Sequence, residues 1–330
     1  MSRRAVLASV LVGAAAVLVV APMIGPTALP IAAVFDPSGT DPAARILWQI
    51  RVPRVVAGFL GGAGLALGGA VFQSIFRNPL ATPYVLGVAA GASFGVAAVA
   101  RLGVGLVVLG VGFQSWAALA GALLAVGIVW LLTRIRPDAA TTTLLLAGVS
   151  LNFFFSSLIL FFQYTASFTD SYRVLRWLMG GLGGVDTTAV LQMAPFVVLG
   201  AAVILGRGRE LDLFATGSEL AASRGVDVAR TRTVLFVATS IMIGGVVAAC
   251  GPIGFVGMMA PHICRLLLGP GHRVLLPASA VFGGAFLVVC DTAARTVIAP
   301  AELPVGVITA FLGAPFFLWL LLRDRGLLAR

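Results

Sequence analysis

The sequence predicts an all-α, polytopic membrane protein of about ten transmembrane helices, with both termini in the cytoplasm, and three observations carry that expectation. Hydrophobic residues fill 60% of the 330 positions and charged residues only 10%. Soluble globular chains run at roughly 45–50% and about 25%, so a soluble enzyme is excluded. The apolar residues fall in blocks that approach bilayer length, about 20 residues at 1.5 Å rise. All 22 basic residues are Arg, recurring singly or in pairs between those blocks, as topology signals do. A net charge of +10 also fits nucleic-acid binders, but those gather charge on one face or tail, and this chain does not.

The first block, 5–24, follows Arg3-Arg4. It exceeds the roughly 7–15 residues of a secretory leader core and lacks a clear A-x-A exit, so a retained first span is expected. The next windows are 55–76, 84–100, 114–133, 141–163, 189–206, 231–250, 257–268, 274–297 and 305–322. The 257–268 window has only 12 residues, too few to cross alone, and is expected as a half-helix with its ends buried in protein. An even number of elements puts both termini on one side. With the N-terminus inside, 15 Arg fall on the cytoplasmic side and seven outside, namely Arg45, Arg51, Arg54, Arg101, Arg173, Arg176 and Arg295. The pairs Gly58/Gly62, Gly64/Gly68, Gly87/Gly91 and Gly91/Gly95 have the small-xxx-small spacing that brings helix backbones together. Two polar segments interrupt what otherwise forms a single domain over 1–330. Residues 207–232 carry nine charges in 26 positions on the cytoplasmic side. Outside, 164–187 includes Tyr172–Trp177, which predicts an amphipathic helix at about 166–178.

The chemistry is sparse. A P-loop needs a Lys to reach the terminal phosphates, and this chain has no Lys, so any ATP-driven work belongs to another polypeptide. His262 and His272 lie ten apart with no third ligand nearby in sequence, which predicts interfacial or loop histidines and no metal site. No HExxH and no Ser/His/Asp set is apparent from spacing. Cys250, Cys264 and Cys290 lie in or beside apolar runs and are expected as small buried residues. Asp291 is the one acid within a predicted span, and Arg295 four residues on is its expected helix partner. An ion-coupled secondary transporter, the alternative function, would place carboxylates near the midplane.

Several stretches together resemble the FecCD-type permease family of type II ABC importers. Arg51-Val-Pro-Arg54 resembles its R-x-P-R entry, and Arg77-Asn78-Pro79-Leu80-Ala81 its R-N-P-L-A loop. Leu144–Gly148 resembles its fifth-span opening, and Trp177-Leu178-Met179-Gly180-Gly181 its outer W-x-x-G motif. Pro252–Gly257 with Pro261-His262, and Glu302-Leu303-Pro304-Val305-Gly306 leading to Gly313–Phe316, complete a series in consistent order from about residue 45 to 322. The resemblance implies a multi-pass permease of the cell inner membrane that is not itself an enzyme. It would import an iron chelate, haem or a corrinoid received from a periplasmic substrate-binding protein. It implies a homodimer powered by a separate ABC ATPase, which holds the ATP and Mg; the chain itself binds no cofactor. Beyond membrane lipid these are its implied partners, with no nucleic acid among them.

The same resemblance suggests roles for particular residues. Gly217, Ser218, Glu219, Ala221, Ala222 and Gly225 match the cytoplasmic coupling loop that the ATPase grips, although Ser218 stands where the family commonly has an acid. A solvated interspan loop is the competing reading. Arg51, Arg54 and Arg295 match positions that meet carboxylates of the binding protein, a task suited to the planar guanidinium fork; lipid headgroup contact competes. Thr141 and Thr142 match the cytoplasmic gate of the passage, or else cap the helix that follows them.

Overall fold

Helices make up almost all of what the computed structural model describes, residues 3–39, 41–103, 106–108, 111–135 and 141–323. Helix α1 is Arg3–Val20, and α2, Pro42–Arg45, runs through a π-helical turn at Ile46–Arg51 into α3, Val52–Ile75. There follow α4 Val88–Leu102, α5 Phe113–Ile135, α6 Thr141–Thr165 and α7 Phe168–Leu178. Then come α8 Thr187–Leu205, α9 Gly208–Thr216, α10 Ser218–Ser223, α11 Val228–Cys250, α12 Val256–Leu268, α13 His272–Ala294 and α14 Val305–Arg323. Every predicted window is a helix, displaced by a few residues at its ends, and α7 is the predicted amphipathic piece. Seven of the helices are long and apolar enough to cross a membrane. Three more apolar helices, Val88–Leu102, Val256–Leu268 and Val305–Leu320, are shorter. One small departure from an all-helical chain is the antiparallel pair Val107–Val108 with Val111–Gly112.

The ends follow from local chemistry. Ser167, Asp186 and Asp227 each accept a backbone N–H three residues on, at 3.2, 2.8 and 2.9 Å, and so start α7, α8 and α11. Pro53 sits just after the π-helical turn, at the start of α3. Inside the bundle, hydroxyls return to the carbonyl four residues back, as Ser74 does to Ala70 at 2.8 Å and Ser93 to Ala89 at 2.7 Å. Segment 207–232 is not a free loop throughout. It forms α9 and α10, and residues 228–232 belong to the first turns of α11 because Asp227 caps that helix.

Helix α3 is the hub. In its span 83% of the most apolar window is buried inside the chain, against 17% for α1 and for α6. Its glycines make that possible. A Cβ on Gly62 would overlap the Gly283 carbonyl of α13, and one on Gly69 would overlap the Gly257 carbonyl of α12. Gly64 and Gly68 receive Val246 and Ile243 of α11. The same device joins α4 to α5, where Gly91 meets Gly121 and Gly95 meets Ala117. Backbone contact of this kind replaces the hydrophobic drive that lipid cannot supply. Gly87 has a different task, opening α4 with φ +84°. All three cysteines are buried and free.

Gly69→Ala is therefore expected to destabilise the protein in detergent by about 1–3 kcal/mol through overpacking. Gly127→Ala, with nothing within 4 Å of the new methyl, is expected to be neutral or to gain up to about 1 kcal/mol of helix propensity. Thermal unfolding compares the two; equal midpoints would contradict the backbone-contact account.

Candidate functional site

Helix α3 ends in a polar cluster at both of its termini. At the first, Arg54 forks Asp291 of α13, with Nε 2.9 Å from Oδ2 and Nη2 2.9 Å from Oδ1, and its Nη1 donates to Glu302 Oε2 at 2.8 Å. The Arg54 and Asp291 side chains are 7% and 3% exposed, that of Glu302 41%. One turn earlier, Arg51 donates to the carbonyls of Pro22 and Met23 at 3.2 Å and of Thr27 at 2.5 Å. Arg295, at the end of α13, donates through Nη2 to the Ala21 carbonyl at 2.7 Å and to Thr292 Oγ1 at 3.1 Å.

The three docking candidates thus share one end of the bundle, but their guanidinium groups are buried and turned inward. The expected Asp291–Arg295 helix pair is corrected. Asp291 faces α3, where one fork satisfies both of its oxygens, while Arg295 folds toward the 3-10 turn Ala21–Met23.

At the other end of α3, Asp212 of α9 accepts the His272 backbone N–H at 2.8 Å and contacts His272 Nδ1 at 2.7 Å. His272 Nε2 lies 2.6 Å from Ser74 Oγ. The fold therefore assembles a Ser/His/Asp set that no sequence spacing reveals. Its members stand 198 and 60 residues apart. Ser74 is 3% exposed and His272 2%, so the trio bridges elements and offers no nucleophile to a substrate. The expectation of loop or interfacial histidines is likewise corrected. His262 is buried too, beside the rings of Phe316 and Phe317, because α12 packs into the bundle.

Within the predicted coupling segment, α9 is anchored by Leu211 and Phe214, both buried. Gly217, at φ +129°, turns the chain into α10. There Ser218, Glu219, Leu220 and Ala222 are exposed and Ala221 is buried, with Gly225 exposed beyond at φ +82°. The side chains of Thr141 and Thr142 lie outside the described residues.

An apolar cavity of about 460 Å³ opens among α3, α11, α12, α14 and the turn before α4, lined by Thr82, Tyr84, Met179, Phe255, Met258 and Val307 among others. That volume is in the range of small-molecule sites, about 300–1,000 Å³. The unwound stretch between α11 and α12 forms part of its wall. Phe255 there has φ +67°, and its ring occupies the space that a side chain on Gly313 would need. Irregular backbone at such a place is tolerated because protein surrounds it.

The model of the FecCD transport family matches residues 10–323. The cobalamin import system permease protein of Halobacterium salinarum is 44% identical over 285 residues, covering 86% of this chain and 75% of that protein. The vitamin B12 import system permease protein of Klebsiella pneumoniae is 43% identical, with 85% and 83% covered. An uncharacterized ABC transporter permease protein of Bacillus subtilis is 39% identical, with 88% and 81% covered. Among solved structures, an inward-facing conformation described as a metal-chelate type ABC transporter matches with a TM-score of 0.86 at 27% identity, over 97% of this chain and all of that one. The PsaBC complex of Streptococcus pneumoniae, at 16% identity and a TM-score of 0.57, shares the fold alone.

Arg54→Met leaves Asp291 buried without its fork, and a loss of about 3–5 kcal/mol is expected. The double variant Arg54→Met, Asp291→Leu is expected to regain much of it. If thermal unfolding finds the double variant as weak as the single, the buried pair does not hold this end together.

Proposed function

From the premise that the chain belongs to the FecCD transport family, we propose that it is the transmembrane permease subunit of an ATP-driven importer whose cargo is a corrinoid. Iron chelates and haem are the competing cargoes. One observation carries this reading: relatives 43–44% identical over 85–86% of the chain are cobalamin or vitamin B12 import permeases. The absence of Lys from the sequence supports a separate ATPase, since no P-loop is possible here. The protein is a multi-pass protein of the cell inner membrane.

In this reading residues 1–330 form one permease domain of ten membrane elements with both termini in the cytoplasm. The Arg distribution favours that orientation. Segment 207–232 then faces the ATPase. The exposed helix α10, with Ser218, Glu219 and Ala222 outward and Gly217 and Gly225 as its turns, is the part gripped. The Arg54 end faces outward and receives the binding protein. Because Arg51, Arg54 and Arg295 are engaged internally, they serve docking by fixing the shape of the rim, and the half-exposed Glu302 is the charge at its edge. Thr141 and Thr142 close the passage on the cytoplasmic side. The weakly buried faces of α1 and α6 are covered by lipid or by a second copy. ATP binding drives pumping only if the two global states differ in their contacts with the ATPase. The permease itself makes and breaks no bonds. The ion-coupled alternative has little to work with, since Asp291 is tied to Arg54 at the end of α3.

Purified with its neighbours, the chain is expected to hold a P-loop ATPase whose hydrolysis rises when cobalamin-loaded binding protein is added. Uptake is expected to persist with a protonophore and to stop without the ATPase. Stimulation by a ferric chelate or haem in place of cobalamin would reassign the cargo. Uptake by the chain alone would refute the importer. Ala222→Arg is expected to weaken ATPase co-purification about tenfold, the equivalent of about 1.4 kcal/mol at the interface.

A further inference from the structure

We propose that Asp212 is a positioning residue that fixes the coupling segment to the transmembrane core, by capping α13 and by holding His272 against Ser74. The proposal rests on the importer reading and adds to it the route by which motion enters the bundle.

The start of α13 lacks a cap of its own. Its N-cap residue is Gly271, which has no side chain to offer. The donor is satisfied from another element instead, since Asp212 Oδ1 accepts the His272 N–H at 2.8 Å. A carboxylate at this position also suits the positive end of the helix dipole. The same oxygen is 2.7 Å from Nδ1 of His272, and that ring continues to Ser74 in the last turn of α3. Ser74 Oγ also lies 2.8 Å from the Ala70 carbonyl. With Nδ1–H donating to the Asp212 carboxylate, Nε2 of the neutral ring accepts from Ser74, and only a protonated ring donates to both. One carboxylate on α9 thus reaches both helices at the centre of the bundle.

Apolar contact alone does not do this. Leu211 and Phe214 bury α9 against its neighbours, but apolar burial is non-directional and permits sliding. The hydrogen bonds that Asp212 accepts set the register. The two helices they reach are already joined at the other end by Arg54–Asp291 and in the middle by Gly62 against Gly283. Displacement of α9–α10 therefore moves α3 and α13 together, as one body.

The test uses the assembled transporter, with its ATPase and binding protein, in proteoliposomes, and reads cargo delivered per ATP hydrolysed. Asp212→Ala is expected to lower that ratio about tenfold, the scale of losing a cap and a buried partner together, while the ATPase still co-purifies. Asp212→Asn keeps an acceptor oxygen and is expected to restore most of the ratio. Adding Ser74→Ala to Asp212→Ala is expected to lose little more, because the two act in one bridge. A wild-type ratio in Asp212→Ala, or equal losses in Asp212→Ala and Asp212→Asn, overturns the proposal. If Asp212→Ala fails to assemble, Ser74→Ala alone decides: a several-fold fall supports the bridge, and a wild-type ratio overturns it. Failure of the importer reading appears separately, as a wild-type chain that holds no ATPase or moves no cargo.

Discussion

The bundle depends on backbone-to-backbone contact along α3. In lipid, side chains gain nothing by leaving an apolar surroundings for one another, so helices associate where small residues let them come close. Gly62 against Gly283 and Gly69 against Gly257 place α13 and α12 directly on α3. The remaining helices are arranged by that trio. Helix α11 lies along Gly64 and Gly68, and α1 packs mainly on α13. The price of so close a core is that its central positions accept no side chain larger than hydrogen.

Polar chemistry is concentrated at the two ends of this core. A fork of Arg54 on Asp291 closes one end, and an Asp212–His272–Ser74 bridge closes the other. Between them the bundle is mostly apolar: Ser74 and Ser93 turn back on their own helices, and a few amides reach across, Gln73 to the Met258 carbonyl and Asn152 to that of Val85. The cavity beside Phe255 continues this character, lined mainly by apolar side chains.

Much of the fold was legible before any coordinates. Hydropathy windows located every long helix, and an amphipathic pattern located α7, because burial in lipid demands uninterrupted apolar runs. Glycine spacing pointed to the contact faces of α3 and α4. Partnership was harder. The Asp291–Arg295 pairing followed from helical spacing, yet Asp291 belongs to Arg54, 237 residues away in the chain. The Asp212–His272–Ser74 bridge left no trace in the sequence, since its members join only when α3, α9 and α13 meet. Likewise, nothing in the local pattern announces that Arg51 and Arg295 find backbone carbonyls at residues 21–27. Local pattern reports which segments are helical; it does not report which side chains will find each other across the bundle.

The three buried cysteines have a practical corollary. With Cys250, Cys264 and Cys290 enclosed and every basic side chain an arginine, the native chain offers neither a ready thiol nor a side-chain amine to labelling reagents. A single cysteine introduced on α10 would report its own environment against a nearly silent background, and amine-directed cross-linkers would mark associated proteins in preference to this one.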